Sequence, residues 1–399
     1  TDIQITHANF DYYSSLDVYF TTELSLTEEC VYLFHATPST HTTWQNSQYS
    51  YLSDFSNSLH SIIPYKPETR SSILYWRGSR LDIYFHPILV GFSSHGSPLP
   101  KLGWGSSMFG AQLASFASRI TKKSPINTGR TVVILTRHMS KYAHFVRDRF
   151  SKFIWARQIF KLSTIDTLVC DFPLSQSEIE CFRTAGFQGD FIYMSEHLYL
   201  SIEGDIVAFE VCTGVPLLPE LRTWLFEEYL PSLPSPPPVK PRVFLSRGIN
   251  SRRNLSNHSR LSTYLATLDF YIIDNSNLSI LEQLLSCFGS DLVIGVHGAQ
   301  LINAIMSNST LVEIMPYPYC ICSWSHTMIK MCDRLSIIHV PYFASQLPSS
   351  QSVDLMGQSL LYNFPCFTGS PESFQSQNLD ISLSSFSEFL RLISIQVFP

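Results

Sequence analysis

A group of residues in the C-terminal part of the chain has the side chains and backbone groups that bind a phosphorylated ligand. They are Arg247, Arg252 and Arg253 after one apolar segment, His297, Gly298 and Ala299 after another, and Glu313 within a third. Arginine forks match phosphate oxygens, and the N–H groups that open a helix attract anions. A carboxylate can accept hydrogen bonds from ribose hydroxyls. The pattern predicts a nucleotide site in which the arginines bind the diphosphate and Glu313 binds the ribose.

Each of these groups also has a purely structural interpretation. Arginines in a loop can be solvated, His297 can be a structural residue at a strand end, and Glu313 can pair with an arginine at the rim of the sheet. Glu282 and Gln283 lie inside a predicted helix, where they could equally be surface residues or residues of the site. We favour ligand binding because all three groups fall at the carboxyl ends of strands of one predicted sheet, where open parallel sheets bind their ligands.

The segments that carry these residues belong to a regular alternation of strands and helices. Strands are predicted at 242–247, 269–275, 291–298, 310–317 and 336–342, and helices at 257–268, 279–290, 299–307 and 323–335. Continuous apolar strands that alternate with short helices are typical of a parallel sheet covered on both faces. Residues 242–345 are therefore predicted to form a Rossmann-like nucleotide-binding lobe.

A proline-rich segment at 231–241 divides the chain into two predicted lobes. Its six prolines disfavour both helix and central strand. Residues 1–230 are predicted to form another α/β lobe, and the tail 346–399 is expected to pack back on that lobe. The N-terminal strands are predicted at 30–35, 72–78, 131–137, 167–172 and 191–197, a helix with a solvated basic face at 140–160, and an apolar tail helix at 382–398. The expected architecture is two Rossmann-like lobes with a cleft between them.

Composition excludes several classes of protein. The chain has 399 residues, of which 45% are hydrophobic and 15% charged, so it can build a large core and is not disordered. The net charge of −5 and the lack of a long basic run argue against a nucleic-acid partner. No apolar run is long enough for a membrane span, so we expect none in this chain. The nine cysteines are scattered without a CxxC pair and indicate no zinc site.

The motifs of several common enzyme classes are absent from the sequence. There is no GxGxxG fingerprint, no P-loop and no GxSxG elbow, which removes support from nicotinamide oxidoreductases, P-loop kinases and esterases. No two aspartates are spaced as D-x-D, the usual pair that grips a metal–nucleotide complex. We therefore expect no metal and no other cofactor. Arg247, Arg252 or Arg253 and a helix dipole would neutralise the diphosphate instead.

The motifs between residues 245 and 317 resemble those of a known family. They are an SR…SR…N segment, an EQ helix, a strand that ends in HGA, and a strand that reads VE before apolar residues and a proline. In this order and spacing they resemble glycosyltransferase family 61. Arg247 and Arg252 match the basic segment of the family, His297 its HGA histidine and Glu313 its strand glutamate.

The resemblance implies a fold, a reaction and two substrates. The fold would be GT-B, with residues 242–345 as the nucleotide-sugar lobe and 1–230 as the acceptor-side lobe. The reaction would be an inverting, metal-independent transfer of a sugar, with N-acetylglucosamine or xylose favoured. The donor would be a UDP-sugar and the acceptor a glycan or a glycoprotein. Eukaryotic relatives work in the endoplasmic reticulum or Golgi lumen behind an N-terminal anchor, so we expect that location for a eukaryotic chain that lacks its anchor here, and the cytoplasm as the alternative.

The sequence leaves the catalytic base open. An acceptor hydroxyl must lose its proton as the donor bond breaks, and the candidate bases are Asp190, Glu196 and His197, with His86 and His95 as further ones. His297 is assigned a transition-state role.

Two segments depart from the family pattern. Residues 257–258 read Asn-His where relatives commonly have Glu after the Asn, and 103–116 contain neither the His nor the acid that relatives carry there. The alternative function is therefore an inactive glycosyltransferase-like protein that binds a glycan or a protein partner.

Overall fold

The computed structural model describes residues 3–5, 30–35, 72–84, 90–93, 124–136, 142–161, 164–197, 199–209, 215–247, 255–316, 326–346 and 379–397. These residues fall into two compact units that divide between Pro234 and Ser235. The division lies inside the proline-rich segment, where residues 233–241 form neither helix nor strand. None of the described helices is long and apolar enough to cross a membrane. That one unit serves the acceptor and the other the donor stays a prediction.

The first unit is built on an eight-stranded sheet. Its strands are β1 (Ile3–Ile5), β2 (Cys30–His35), β3 (Ser72–Tyr84), β4 (Val90–Ser93), β5 (Ile126–Ile134), β6 (Thr167–Cys170), β7 (Asp190–Tyr193) and β8 (Tyr199–Phe209). The strand order is β1-β2-β3-β8-β5-β6-β7, with β4 beside β3. Strands β8, β5, β6 and β7 run parallel, but β1 to β4 pair antiparallel, as do β3 and β8. The expected Rossmann-like arrangement is therefore limited to four strands, because antiparallel strands need no helical crossover between them.

Helices of the first unit follow its parallel strands. Helix α1 runs without a break through Tyr142–His144, Phe145–Phe150 and Ser151–Ile159, and its middle part has π-helical hydrogen bonds. Helix α2 is Gln176–Thr184, and α3 runs through Leu218–Trp224, Leu225–Tyr229 and Leu230–Ser232. Three phenylalanines of α1 pack edge-to-face on Phe182 of α2, with ring centroids 5.0–5.7 Å away. This aromatic cluster fixes both helices on the sheet.

The expectation that α1 has a solvated basic face is wrong. Arg147, Arg149 and Lys152 are all buried. Arg149 donates through Nη2 to Oδ1 of Asp171 at 2.6 Å, at the carboxyl end of β6. Arg147 donates to both carboxylate oxygens of the adjacent Asp148, each at 2.6 Å. A buried cation is costly unless a carboxylate pairs with it, and the partners of Arg147 and Arg149 are a neighbour in the helix and a strand end that is distant in sequence.

The second unit contains a six-stranded sheet. Its strands are β9 (Arg242–Ser246), β10 (Tyr271–Asp274), β11 (Leu292–Val296), β12 (Thr310–Pro316), β13 (Ile338–Gln346) and β14 (Leu379–Asp380). The order is β10-β9-β11-β12-β13-β14, and every pairing except β13 with β14 is parallel. All five strands predicted for this lobe form, because each is an apolar run suited to a sheet covered on both faces. With two parallel-rich sheets and their helices, the protein is a mixed α/β protein.

Helices of the second unit connect successive strands. They are α4 (His258–Ala266), α5 (Ile280–Leu285), a 3₁₀ helix (Ala299–Met306), α6 (His326–Leu335) and, at the end, α7 (Leu383–Val397). Ser279 caps α5 together with Glu282: Glu282 donates its N–H to the Ser279 hydroxyl at 3.3 Å, and its carboxylate accepts from the Ser279 N–H at 2.8 Å. Gln283 donates to the Leu278 carbonyl at 2.9 Å. Both residues of the EQ pair therefore stabilise the start of a helix.

The tail helix α7 belongs to the core of the second unit, which corrects the expectation that it packs on the first lobe. Its apolar face joins the core of the second sheet, and the cluster includes Phe386, Phe389, Leu390 and Ile393 from α7 and Phe244, Leu261, Leu265, Ile294 and Val340 from the sheet and α4. The Phe386 ring lies edge-on to Tyr342 of β13, with centroids 4.7 Å apart. Strand β14 pairs with β13 directly before α7, so the chain returns to this unit before the helix begins.

We expect Phe386→Ala to lower the free energy of unfolding by about 3–5 kcal/mol, because a fully buried ring would be replaced by a cavity. Urea denaturation followed by tryptophan fluorescence measures the change. The matched control is Glu388→Ala on the exposed face of the same helix, where only an exposed ion pair with Arg391 is lost and a much smaller change is expected. Equal effects of the two substitutions would show that α7 is not part of this core.

Candidate functional site

The candidate site lies where the strand order of the second sheet reverses. The connection from β9 leads to β10 on one side, and the connection from the adjacent strand β11 leads to β12 on the other side. Open parallel sheets bind ligands beyond the carboxyl ends of their strands at such a point. Arg247 directly follows β9, and His297 directly follows β11. The structure therefore brings together two of the residues predicted to bind the nucleotide.

Arg247 connects the two strand ends. Its Nη1 donates a hydrogen bond to the carbonyl oxygen of His297 at 2.8 Å. The guanidinium passes so close to Gly298 that a Cβ atom at that position would lie 2.5 Å from Nη1. A larger residue than glycine would displace the arginine. Arg252 and Arg253, the other predicted diphosphate ligands, lie outside the described residues.

Two contacts hold the segment after β11 against the sheet. Gln300 donates through Nε2 to the carbonyl of Leu245 in β9 at 2.9 Å. A Cβ atom on Gly295 would lie 2.7 Å from Cδ2 of Leu301, so this glycine lets the 3₁₀ helix pack closely on β11. Ala299 begins that helix and is half-buried. Gly298 therefore connects His297 to the start of the 3₁₀ helix at Ala299.

Glu313 forms a buried network with two histidines. It lies in β12 and has no exposed surface. One carboxylate oxygen accepts from Nδ1 of His297, and the other accepts from Nε2 of His339 at 2.7 Å. Burial alone would raise the pKa of Glu313, but the charge and hydrogen bond of His297, together with those of His339, lower it to about 2. Glu313 is therefore an ionised carboxylate inside the sheet.

This geometry corrects the predicted role of Glu313. A residue that binds ribose must present a carboxylate oxygen to the ligand, and both oxygens of Glu313 are engaged and buried. The glutamate is instead hydrogen-bonded to the ring of His297 and to that of His339. The prediction failed because a strand position alone does not show what lies on the neighbouring strand.

The candidate bases of the first unit are not brought together. Asp190 begins β7, and its N–H donates to the carbonyl of Asp166 at 2.9 Å, at the amino edge of the sheet. Glu196 and His197 follow β7 at the opposite, carboxyl edge. His86, His95 and residues 103–116 lie outside the described residues.

Two histidines near the site were not among the predicted site residues. His258 opens α4 and shares a hydrogen bond with the hydroxyl of Ser246, the last residue of β9, at 2.8 Å. It is the residue that departs from the family pattern in sequence. His339 of β13 contacts Glu313, and the register of β12 against β13 could have indicated this contact. Glu313 pairs with Pro341, so His339, two residues earlier, is on the same face of the sheet.

Comparison with known families identifies the family of the chain. A family model described as Glycosyltransferase 61 matches residues 100–314, more than half of the chain. The chain belongs to glycosyltransferase family 61. The family resemblance predicted from the sequence is thus confirmed, and membership places the chain among glycosyltransferases, the class of enzymes that move a sugar from a donor to an acceptor. No curated protein matches the chain. The match includes Arg247, His297 and Glu313 and ends before His339.

The low pKa of Glu313 predicts how stability depends on pH. The ordinary pKa is 4.5 and the folded value about 2, so the carboxylate stabilises the fold above pH 4.5 and this contribution is lost as the pH falls towards 2. We expect the free energy of unfolding of Glu313→Gln to be about 3–5 kcal/mol lower than that of wild type near neutral pH, because two buried N–H groups lose their anionic partner. The difference should narrow as the pH falls from about 5 to about 3.

Urea unfolding across this pH range measures the difference between the two proteins. Glu180→Gln, which changes an exposed carboxylate of α2, is the control and should show a small effect throughout. A difference between wild type and Glu313→Gln that stays constant with pH would mean that Glu313 is not an ionised, stabilising carboxylate.

Proposed function

We propose that this protein is an inverting glycosyltransferase that takes a sugar from a UDP-sugar and transfers it to a glycan or glycoprotein. The donor would bind at the carboxyl edge of the second sheet, between the ends of β9 and β11. The observation that carries the proposal is the hydrogen bond of Arg247 to the His297 carbonyl, which places a cation at the strand-order reversal of a family 61 chain.

The donor diphosphate requires positive charge, because its leaving oxygen gains a negative charge when the bond to the sugar breaks. Arg247 supplies one guanidinium, and Arg252 and Arg253 follow it closely in sequence. The N–H groups that open the 3₁₀ helix at Ala299 add further donors. Four positive or donor groups of this kind can replace a metal ion in charge neutralisation, which supports a metal-independent reaction.

Inversion requires a base opposite the leaving diphosphate. The base removes the proton of the acceptor hydroxyl while its oxygen bonds to C1 of the sugar and the C1–O bond to the diphosphate breaks. Glu196 and His197 lie at the carboxyl edge of their sheet, where parallel strands present ligand-binding groups, whereas Asp190 lies at the other edge. We therefore favour Glu196 or His197 as the base over Asp190.

The donor sugar and the compartment rest on resemblance. Gln300 after HGA and Pro316-Tyr317 after Glu313 are most similar to the protein O-linked-mannose β-1,4-N-acetylglucosaminyltransferases of this family, which favours N-acetylglucosamine, with xylose as the second choice. The endoplasmic reticulum or Golgi lumen would be the compartment in a eukaryotic cell. Release of UDP from UDP-N-acetylglucosamine and UDP-xylose, with and without mannosylated peptides, tests both choices.

A second candidate function is binding without catalysis. Residues 103–116 contain neither histidine nor acid, where relatives carry both. A protein without the acceptor-side base would still bind UDP at the second sheet and a glycan or protein partner elsewhere. Tight UDP binding without turnover of any UDP-sugar would favour this function.

We expect Arg247→Ala to weaken UDP binding by about 1.5–3 kcal/mol, the range for a charge-assisted hydrogen bond. Isothermal titration calorimetry measures the affinity. Arg242→Ala is the matched control, because Arg242 begins the same strand at its amino end and donates to the Leu268 carbonyl. UDP affinity that is unchanged in Arg247→Ala, with an intact circular dichroism spectrum, would eliminate the proposed diphosphate site.

We expect UDP binding and UDP-sugar turnover to persist in EDTA, because arginines and backbone N–H groups supply the positive potential. The measurement compares initial rates before and after chelation, followed by addition of Mn²⁺ or Mg²⁺. Loss of activity with EDTA and its recovery with Mn²⁺ would contradict metal independence while leaving the glycosyltransferase assignment intact.

A further inference from the structure

The Glu313 network extends one strand beyond the residues that line the proposed donor site. Its three members come from three places along the chain: His297 follows β11, Glu313 lies in β12 and His339 lies in β13. All three are buried, with Glu313 completely so. Because β11, β12 and β13 are adjacent parallel strands, the network runs across the sheet towards its carboxyl edge.

We propose that His339 and Glu313 are positioning residues for His297, and that together they hold its proton on Nδ1 so that Nε2 is the ring atom that acts on the donor. This inference rests on the proposed function, since the donor is what His297 would meet. It assigns a role to His339, which lies outside the segment matched by the family.

The argument starts from the chemistry of the carboxylate. An ionised carboxylate has only acceptors, so each of its two short contacts with a ring nitrogen requires an N–H group on the histidine. Nδ1 of His297 and Nε2 of His339 must therefore both carry protons. In a neutral imidazole the second nitrogen then carries a lone pair. For the neutral rings, the two contacts thereby select one tautomer of each histidine, and the two tautomers are opposite.

His339 matters because Glu313 has two oxygens. If only His297 bonded to the carboxylate, the other oxygen would be buried without a partner, at a high cost in free energy. The glutamate would then gain from rotating or from taking up a proton, and a protonated carboxyl no longer demands a donor at each oxygen. His339, through its 2.7 Å hydrogen bond, removes this alternative and keeps the second oxygen occupied.

The backbone of His297 is also fixed by hydrogen bonds. The N–H of His297 donates to the Ile314 carbonyl at 2.8 Å, and its carbonyl accepts from Arg247 at 2.8 Å. Main chain and ring of His297 are therefore each tied to β12, and the main chain also to the proposed diphosphate ligand. A change in the orientation of the His297 ring would therefore alter its contact with the donor but leave Arg247 in place.

Three variants distinguish a positioning role of His339 from a packing role. His339→Phe fills the space but cannot donate to Glu313. His339→Gln keeps an amide N–H that can replace Nε2. Val340→Ala is the matched control, because Val340 is the buried neighbour on β13 whose side chain points to the opposite face.

The first measurement is ¹⁵N NMR of the whole chain with labelled histidines. The ring signals of His297 and His339 are assigned from variants that each lack one of the two histidines. We expect the proton of His297 on Nδ1 in wild type, in His339→Gln and in Val340→Ala, and a mixture of tautomers in His339→Phe. A wild-type His297 with its only proton on Nε2, or an unchanged His297 in His339→Phe, would overturn the inference. This readout needs no substrate, so it stands even if UDP does not bind.

The second measurement is steady-state turnover of UDP-N-acetylglucosamine by the same proteins. We expect kcat of His339→Phe to fall about tenfold or more with little change in KM, as when a partner that orients a functional histidine is removed. His339→Gln should recover most of this loss, and Val340→Ala should retain kcat per folded molecule. An equal loss of kcat in His339→Phe and Val340→Ala would show a structural role only.

The two proposals can fail separately. A wild type that neither binds UDP nor releases it, but has its His297 proton on Nδ1, would refute the proposed function and leave the positioning network in place. A wild type that is active, with no effect of His339→Phe on turnover or tautomer, would refute the positioning inference alone.

Discussion

A carboxylate enclosed in a β-sheet cannot be tolerated unless every oxygen has a donor, and the second unit is organised around this requirement. Glu313 has no solvent exposure, so its hydrogen bonds must come from the strands on either side. His297 and His339 provide them, and both contacts depend on the observed register of β11 and β13 with β12. A slip of one residue in either strand would turn the histidine to the other face and leave the charge unpaired.

The first unit solves the same problem with a different donor. Asp171 is fully buried at the end of β6, and Arg149 of α1 and the N–H and hydroxyl of Thr136 bond to it. Arginine keeps its charge at any accessible pH, whereas histidine can gain or lose a proton near neutrality. The first unit thus has an arginine–aspartate ion pair at its strand end, whereas in the second unit a carboxylate accepts hydrogen bonds from two histidine rings.

Sequence patterns predicted the elements well and their partners poorly. The five parallel strands of the second unit are apolar runs bounded by polar turns, and such runs can be read locally. The buried state of Arg149 could not be read in this way, because Asp171 is its partner only after the chain has folded. His339 was missed for the same reason. Glu313 was correctly assigned to this sheet, but its contacts are two histidines and not the predicted ribose. The tail helix has an apolar stripe that specifies burial but not the surface that buries it, and so it was assigned to the wrong unit.

The position of α7 also bears on the order in which the protein can fold during synthesis. Domains generally fold as units as they leave the ribosome, N-terminal first. The described elements of the first unit are complete by Ser232, whereas the core of the second includes residues as late as Ile393. Strands β9 to β13 must therefore wait, with part of their apolar surface uncovered, until the last helix has emerged. A chaperone that shields β9 to β13 during this interval would act on the second unit and not on the first.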